Sequence, residues 1–399
     1  MSILIGIIGL LAFLGFAFLI SNDKKAINFK AIGIMVAVQL VLTVFMLNTS
    51  IGMLIVEKVA GAVSTLVGYG HEGVAFVTGG IMVENGASVF FLDVLMIVIF
   101  TSALLSILTY TGILPLAIKL VGGALSKLTG LPKVETFNAV NSMFFGQSEA
   151  LIAIKGHLSK FNGNRLFVIS TSAMASVSAS IVGAYMTMLQ PKYVLIAIVL
   201  NMFNGLIIAS IIAPVRKEDI DEDAEVTTDE LKKQSGTSFF DALTRGALDG
   251  GKVALIVASM LVAFIGIISM LNGIFDATVG HTLQELLGFV FAPLAFLMGV
   301  PMADVLQVGN LMGTKIMANE FVAMLDFVNV AGGLSVKGEA IISVFLMSFG
   351  AVSSIGIIAG TAQAISGATG AMVAKFGVKL LTSAVLVSLM SATIVGLFI

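Results

Sequence analysis

The chain has 399 residues, of which 58% are hydrophobic and 11% are charged, and its mean hydropathy is +1.08. Soluble domains carry about 25% charged residues, so this composition is that of a chain embedded in a lipid bilayer. The formal net charge of −2 excludes the basic surface that nucleic-acid binding requires. The absence of cysteine excludes disulfides and thiolate metal sites.

Eight apolar runs along the chain predict helices that cross the bilayer. They lie at 3–20, 31–48, 88–111, 166–188, 193–213, 252–272, 338–360 and 380–398. The loop after the first run carries Lys24, Lys25 and Lys30, so the positive-inside rule places that loop in the cytoplasm and both termini outside. Within the third run, Asp93 is interpreted as a hydrogen-bonded residue near a helix end.

Other apolar segments contain charges or glycines and are predicted to lie along the membrane surface. These are 50–80, 113–129 and 277–297. Residues 239–250 are predicted to form a short amphipathic helix that leads into the next span. The most polar segment, 215–236, mixes acidic and basic side chains and is predicted to be a solvated loop between two halves.

Polar side chains interrupt the apolar sequence at Gly146-Gln147-Ser148-Glu149-Ala150. An acidic residue at the bilayer centre costs roughly 2.5–3.5 kcal/mol on insertion scales, so this glutamate indicates a functional site. Lysines flank the segment 134–158 at both ends, which predicts a re-entrant hairpin that enters and leaves on one side. A second segment, 301–330, is predicted to break at Gly313-Thr314-Lys315 and carries Glu320.

The order of interfacial helix, broken hairpin with a glutamate, and Ser- and Gly-rich span occurs twice. A polar break is predicted at 176–180 in the first copy and at 353–354 in the second. Counting the crossings puts the two hairpins on opposite sides of the membrane. An inverted repeat is typical of secondary transporters, whose solute site lies at the midplane where discontinuous helices meet.

Each hairpin glutamate lies close to an amide side chain, Gln147 or Asn319. Carboxylates accept hydrogen bonds and amides both donate and accept, so the set suits a neutral solute rich in hydroxyl and ring N–H groups. Structural pairing of the glutamates with Lys155 and Lys315 is the alternative. A passive channel would need a continuous lined pore. An intramembrane hydrolase is disfavoured because Ala150 stands where a nucleophile elbow has glycine.

Four stretches, taken together, resemble the concentrative nucleoside transporter family, and the resemblance covers essentially the whole chain. They are Gly146-Gln147-Ser148-Glu149; Ser176-Val177-Ser178-Ala179-Ser180-Ile181-Val182-Gly183-Ala184-Tyr185; Gly313-Thr314-Lys315 with Asn319-Glu320-Phe321-Val322-Ala323; and Ser353-Ser354-Ile355-Gly356-Ile357. The resemblance implies an all-α homotrimer in the cytoplasmic (inner) membrane of a bacterium. Each protomer would have eight transmembrane helices, two opposed re-entrant hairpins and interfacial helices.

The resemblance also implies a scaffold and a mobile transport domain. The scaffold would comprise 1–111 and 239–275, the transport repeats 112–213 and 276–399, and the polar loop 214–238 would lie between them. The transport domain would move like an elevator and import a nucleoside together with a cation, with no organic cofactor.

The resemblance assigns substrate contacts to eight side chains. The nucleobase would be bound by Gln147, Ser148 and Glu149, with Ile181 and Phe349 packed against it, and the ribose by Glu320 and Ser354, with Asn319 also in the site. Candidate positions for a coupling ion are Ser142, Phe145, Ser148, Ser176 and Val177.

Two positions depart from the family pattern. Ser142 stands where sodium-coupled members have asparagine, and its shorter side chain is a poorer cation ligand. This favours coupling to protons, carried by either hairpin glutamate, over sodium. Ala351 replaces an asparagine that helps to hold the ribose, a loss of roughly 0.5–1.5 kcal/mol for one hydrogen bond. A shift toward purine nucleosides, nucleobases or another polar solute therefore stays open.

Overall fold

The computed structural model of the chain describes residues 2–79, 89–158, 160–219 and 228–399, and its regular elements in these ranges are helical. The α-helices are α1 Ser2–Leu19, α2 Phe29–Asn48, α3 Ser50–Thr78, α4 Ile97–Tyr110, α5 Ile113–Thr129, α6 Lys133–Asn141, α7 Gln147–Ala153, α8 Lys155–Leu158, α9 Gly163–Ala175, α10 Ala179–Tyr185, α11 Pro191–Ile212, α12 Thr228–Ser235, α13 Phe239–Val279, α14 Leu283–Leu297, α15 Val305–Met317, α16 Glu320–Val330, α17 Val336–Leu346, α18 Val352–Ile365, α19 Gly367–Lys375 and α20 Gly377–Leu397.

Eight helical segments among the described residues are long and apolar enough to cross a membrane. They are Ser2–Leu19, Phe29–Asn48, Ser50–Thr78, Phe91–Tyr110, Gly163–Tyr185, Pro191–Ile212, Phe239–Thr278 and Gly377–Leu397. Seven of these coincide with predicted spans, although residue 88 lies outside the described chain. The predicted span at 338–360 is instead two helices, α17 and α18, separated by an irregular stretch at 347–351.

Glycines that were expected to interrupt helices are accommodated inside them. The segment predicted as interfacial at 50–80 contains one continuous helix, α3, of 29 residues, so the expectation of pieces too short to cross is wrong. Likewise, the predicted lead-in at 239–250 and the span at 252–272 form a single helix, α13, of 41 residues. That helix is about 60 Å long, roughly twice the thickness of the hydrocarbon core.

The close approach of α13 to α4 explains why glycine occurs within this long helix. A Cβ atom added at Gly250 would lie 2.6 Å from the carbonyl oxygen of Val98, and one at Gly246 would lie 2.8 Å from the Cα atom of Ala103. Small residues four apart allow helix backbones to pack closely in a membrane. These glycines therefore join α4 and α13 tightly.

Asp93 is hydrogen-bonded near a helix end, as predicted. Its carboxylate accepts from the backbone N–H of Val89 at 2.7 Å, at the start of a π-helical turn, Phe91–Leu95, that leads into α4. The predicted polar loop at 215–236 is described only in part, because residues 220–227 lie outside the described ranges. Its described part contains α12, in which Leu231 is buried, so this part is not a fully solvated loop.

Contacts at the helix ends show that the two repeats run in opposite directions. Asn164, at the start of α9, lies beside Asn22 in the loop after α1, and Lys379, at the start of α20, donates to Asn22. Lys337, at the start of α17, instead donates to the carbonyl oxygen of Ile399, past the end of α20. Since α9 and α17 begin at opposite ends of α20, the predicted inversion of the repeat is confirmed.

Burial divides the helices into two groups. Most residues of α9, α11 and α20 are buried, and α11 is apolar all around, as expected for a helix enclosed by protein. In contrast, α1, α2, α3 and α13 expose many large apolar side chains. A well-packed core built on α9, α11 and α20 is therefore flanked by helices whose surfaces suit lipid or another protomer.

Candidate functional site

Each repeat contains two short helices separated by an irregular link. The first broken segment, Lys133–Ala153, consists of α6, a link at 142–146 and α7, as predicted. The second broken segment, Val305–Val330, consists of α15 and α16, which pack against each other. Its link is at Ala318-Asn319, so the break predicted at Gly313-Thr314-Lys315 is wrong. No membrane is present, so the re-entrant path of both segments stays a prediction.

The helix that follows each broken segment is also discontinuous. The first helix break, 176–178, separates α9 from α10, in agreement with the predicted polar break at 176–180. The second helix break, 347–351, separates α17 from α18 and lies ahead of the predicted position at 353–354. Ser353 and Ser354 belong to the first turn of α18.

In each repeat the link contacts the first turn of the helix that follows the helix break. In the first repeat the N–H of Ala179 donates to the carbonyl oxygen of Phe144 at 3.1 Å. In the second, the hydroxyl of Ser353 donates to the carbonyl oxygen of Ala318 at 3.4 Å, across the same separation of 35 residues. The two helix breaks also meet directly, because the N–H of Phe349 donates to the carbonyl oxygen of Ser176 at 3.1 Å.

Gln147 and Ser354 bring polar groups of the two repeats together. The Gln147 amide donates to the Ser354 hydroxyl through a long hydrogen bond of 3.5 Å, and Ser354 in turn donates to the carbonyl oxygen of Phe349. The Gln147 Oε1 atom is buried and has no hydrogen-bond partner among the described residues. Because a buried carbonyl oxygen without a partner is costly, this atom is placed to accept from a solute.

Glu149 and Ser148 lie in the first turn of α7. A Cβ atom at Gly146 would lie 2.5 Å from Glu149 Oε2, so glycine leaves room for the carboxylate to fold back over the link. The Ser148 hydroxyl accepts from Thr361 on α18 at 3.0 Å. Ile181 is buried on α10, behind the first helix break.

Glu320 is held from the other repeat. Its Oε1 accepts from the hydroxyl of Tyr185 at 2.9 Å, and both side chains are buried. The Tyr185 ring also packs on Phe321, with ring centroids 5.0 Å apart. Asn319 caps α16, since its Oδ1 accepts from the N–H of Val322 at 2.9 Å, which leaves its amide N–H groups available.

A cavity of about 260 Å³ lies beside the first link, and of the eight candidate substrate contacts Glu149 is the one that lines it among the described residues. Phe145, Gly146 and Glu149 line it from the first broken segment, and Ser178 and Ser180 line it from the first helix break and α10. The opposite wall comes from α4, α12 and α13 and includes Ser102, Ser106, Leu231, Arg245 and Asp249. Glu149 therefore faces a space large enough for part of a small polar molecule, between two groups of helices.

The candidate ion positions cluster at the link and the first helix break. Ser142 is fully buried, and its hydroxyl donates to the carbonyl oxygen of Asn138 at 2.7 Å. Ser176 likewise donates to the carbonyl oxygen of Ala173 at 3.0 Å, and Val177 is buried beside it. Both serine hydrogens are thus bonded within their own helices, which leaves only their oxygen lone pairs for a ligand.

Neither hairpin glutamate forms an ion pair with the lysine proposed as its structural partner, among the described residues. Lys155 is exposed in α8. Lys315 is buried and donates to Phe345, Ser348 and Ser388. Glu149 therefore has no lysine partner among the described residues, and Glu320 interacts with the charge of Lys315 without direct contact.

The sequence analysis assigned no role to several residues that lie at the candidate site. Tyr185 lies one helical turn after Ile181, so helix periodicity alone would have placed both on one face of α10. Thr361 is likewise two turns beyond Ser354 on α18. In contrast, Arg245 and Asp249 are distant in sequence from both glutamates, and no local pattern indicated that they line the cavity.

The fold and these contacts define a class of protein. Opposed repeats, discontinuous helices that meet in the interior, and buried carboxylates beside amides are the features of a secondary transporter for a polar solute. The structure closely matches CNTnw in an inward-facing substrate-bound state, with a TM-score of 0.94 and 33% identity over 100% of this chain and 99% of that one.

Comparisons of sequence identify the family. Residues 193–396 match the model described as the C-terminus of the Na⁺ dependent nucleoside transporters, 8–81 match the corresponding N-terminus, and 91–218 match the nucleoside recognition model. The chain is 36% identical over 401 residues to the purine nucleoside transport protein NupG of Bacillus subtilis, and 31% identical over 416 residues to the nucleoside permease NupC of Helicobacter pylori. Both matches cover 100% of this chain and at least 98% of the relative.

The chain belongs to the concentrative nucleoside transporter family, as its motifs predicted. It is a nucleoside transporter of the membrane, and its family couples nucleoside transport to cations. Its relatives are transporters rather than enzymes.

Proposed function

We propose that this protein imports nucleosides, with a preference for purine nucleosides, together with protons and by an elevator movement of its transport domain. The observation that carries this proposal is the meeting of the two repeats at Gln147 and Ser354, where the buried Gln147 oxygen has no hydrogen-bond partner among the described residues. A neutral solute with several donors satisfies such groups, whereas an anion would be repelled by the nearby glutamates.

In the proposed site, Gln147, Ser148 and Glu149 bind the nucleobase, while Ile181 and Phe349 pack against it. Glu320 and Ser354 bind the ribose hydroxyls, and the Asn319 amide adds a donor. Tyr185 supports this division because its hydrogen bond holds the Glu320 carboxylate in place from the first repeat.

The preference for purine nucleosides is proposed from one substitution and one relative. Ala351 is the N-cap residue of α18 and offers no side-chain hydrogen bond there, so this position gives the ribose no polar contact. A site that binds the ribose less strongly depends more on the base, and a purine offers the larger apolar surface. The relative at 36% identity is itself described as a purine nucleoside transport protein.

Proton coupling is proposed because Ser142 stands where sodium-coupled members have asparagine. Its side chain reaches less far, so its hydroxyl is a poorer ligand for a cation than an asparagine carbonyl would be. Glu149 and Glu320 are titratable groups at the site, so either of them provides a place for the coupled proton.

The scaffold in this proposal is 1–111 with 239–275, and the mobile domain is 112–213 with 276–399. The polar cavity lies between them, and a further cavity of about 410 Å³ is lined mainly by apolar residues of α2, α3 and α4 on one side and α10 and α11 on the other. Because the facing surfaces are apolar and enclose a cavity, few hydrogen bonds would have to break when one domain slides past the other. The exposed apolar faces of α3 and α13 are proposed to form the homotrimer and to contact lipid.

The same proposal places the protein in the cytoplasmic membrane of a bacterium, with both termini on the external side. Lys24, Lys25 and Arg216 lie at the end of the molecule that also holds Asn22 and the start of α20. Positive charge at one end favours that end as cytoplasmic. Accessibility of cysteines introduced singly into this cysteine-free chain tests the orientation.

Uptake into proteoliposomes tests substrate and coupling ion together. We expect labelled adenosine or inosine to accumulate under an inward proton gradient without sodium, and unlabelled nucleosides to compete better than free bases, sugars or amino acids. Accumulation driven by sodium in the absence of a pH gradient would refute proton coupling. Competition by sugars or amino acids but not by nucleosides would refute the proposed substrate.

Glu320→Gln separates transport from structural roles. Because glutamine keeps the shape of the side chain but removes its charge, we expect the variant to fold and form trimers but to lose uptake. A variant with wild-type uptake would remove Glu320 from the proposed site.

Crosslinking tests the movement between domains. The Thr101 hydroxyl on α4 donates to the carbonyl oxygen of Ser180 on α10, so this pair joins the proposed scaffold and mobile domain. In the double variant Thr101→Cys, Ser180→Cys, Hg²⁺ is expected to arrest uptake and a thiol reductant to restore it. The two single-cysteine variants serve as controls. Full uptake by the crosslinked protein would refute the elevator movement.

A further inference from the structure

Lys315 is a buried lysine whose hydrogen-bond acceptors are neutral and whose charge also interacts with the Glu320 carboxylate. Its side chain is 1% exposed, and its Nζ atom donates to the carbonyl oxygen of Phe345, to the Ser348 hydroxyl at 2.8 Å and to the Ser388 hydroxyl at 3.1 Å. The ammonium also lies 4.4 Å from the centroid of the Phe345 ring. An ammonium has three N–H donors and no lone pair, so three acceptors match its full donor set.

The acceptors belong to elements that meet at the second helix break. Phe345 lies in the last turn of α17, where exposed carbonyl groups carry partial negative charge and favour a cation. Ser348 lies within the break itself, and Ser388 lies on α20. Since Lys315 is on α15, one side chain connects the second broken segment with the end of α17, the second helix break and the core helix α20.

The junction leads directly into the substrate site. Phe349 follows Ser348, and its N–H donates to Ser176 of the other repeat while its carbonyl oxygen accepts from Ser354. The backbone at 348–349 is therefore fixed from one side by the ammonium and from the other by the substrate-binding residues. A shift of Ser348 would move both Phe349 and the hydroxyl of Ser354.

Among the described residues, no lysine or arginine side chain bonds to the equivalent place in the first repeat. There, the Ser176 hydroxyl donates to the carbonyl oxygen of Ala173, three residues earlier, just as Ser348 follows Phe345 by three. In the second repeat both of the corresponding oxygens instead receive N–H bonds from Lys315. Moving an ammonium from water into a protein interior is costly, so the burial of Lys315 must be offset by a gain in stability or in function.

We propose that Lys315 is a positioning residue for nucleoside binding: its ammonium is a cation, attached to the chain, that holds the second helix break in its binding geometry. This half of the site consequently needs no bound ion. The inference rests on the proposed nucleoside site, because it acts through Phe349 and Ser354 and not by contact with the substrate.

Two separate substitutions of Lys315 test the proposal. Lys315→Met keeps much of the apolar chain without the charge, and Lys315→Ala removes the atoms that n-propylammonium would replace. We expect both purified variants to bind labelled nucleoside about 10- to 100-fold more weakly, the range for loss of a hydrogen bond to a charged group. We expect n-propylammonium, but not 1-propanol of equal length, to restore binding in Lys315→Ala.

The controls distinguish this inference from the proposed function. Absence of nucleoside binding by the wild type would refute the proposed site, and the inference with it. Wild-type binding by Lys315→Met, or equal rescue by 1-propanol and n-propylammonium, would overturn the inference alone. Should the lysine variants fail to fold, Ser348→Ala with Ser388→Ala removes two acceptors while keeping the lysine. That variant is expected to bind about tenfold more weakly, and wild-type binding would overturn the proposal.

Discussion

Removal of the Tyr185 hydroxyl tests whether the two repeats cooperate in binding substrate. The phenol donates to Glu320 Oε1 at 2.9 Å in a buried setting, and the ring itself packs on Phe321. Tyr185→Phe keeps the ring and deletes only the donor. A hydrogen bond to a charged group contributes about 1.5–3 kcal/mol, so the carboxylate loses a strong constraint on its orientation.

We expect part of this free energy to be lost from substrate binding, because in the proposed site the ribose must then order the Glu320 carboxylate without help from Tyr185. A loss of about 1.4 kcal/mol corresponds to a tenfold higher dissociation constant. Binding of labelled nucleoside to purified protein measures it directly, alongside uptake into proteoliposomes.

Tyr193→Phe is the matched control for Tyr185→Phe. Tyr193 is equally buried, but its ring lies under the Lys192 ammonium at the start of α11, away from both glutamates. Its substitution is expected to change the dissociation constant by less than about threefold, as for changes that remove no key interaction. Binding by Tyr185→Phe within twofold of the wild type would refute the proposed orientation of Glu320 by Tyr185.

Three further predictions concern contacts outside the substrate site. The buried Arg165 guanidinium donates to the two carboxylate oxygens of Glu135 at 2.5 Å and 2.9 Å. Glu135→Gln leaves the guanidinium without its charge partner, so the free energy of unfolding should fall by about 3–5 kcal/mol in denaturation of the purified protein. An unchanged free energy of unfolding would contradict this role of the ion pair. Arg216 holds the pKa of the half-buried Asp23 carboxyl below its ordinary 3.8, so the stabilisation is present above that pH and lost as pH falls through the lowered value. The difference in melting temperature between wild type and Asp23→Asn should therefore disappear in strong acid. Gly250→Val should separate α13 from α4 and lower the melting temperature, whereas Gly251→Val, where a Cβ meets open space, should not.

The limits of prediction from sequence are clearest at the glycines. In membrane helices a glycine either marks a break or permits close packing, and the local pattern is similar in both cases. Gly313 was assigned to a break, yet a Cβ there would lie 2.5 Å from the Leu287 Cβ atom, so this glycine packs α15 against α14. Gly246 and Gly250 likewise serve the contact with α4. Only the tertiary partner distinguishes these roles.

Capping residues would have located the second link more accurately. Asn319 is a favourable N-cap residue, and its side chain accepts from Val322 at the start of α16, whereas Thr314 and Lys315 are helical. The buried glutamates and their amide neighbours were found from sequence because charge is costly in lipid. Arg245 and Asp249 were not found from sequence, because charged residues near the end of a long helix are common at membrane surfaces and do not by themselves indicate a site.

The backbone hydrogen bond between Phe349 and Ser176 has a consequence for how this family can change its substrates. It joins the two inverted repeats through peptide groups, so no substitution short of proline at 349 removes its donor. Side chains around the junction, such as Ala351 and Ser142, are therefore free to vary in polarity without separating the repeats. Selectivity for substrate and ion can then diverge while the two halves stay joined.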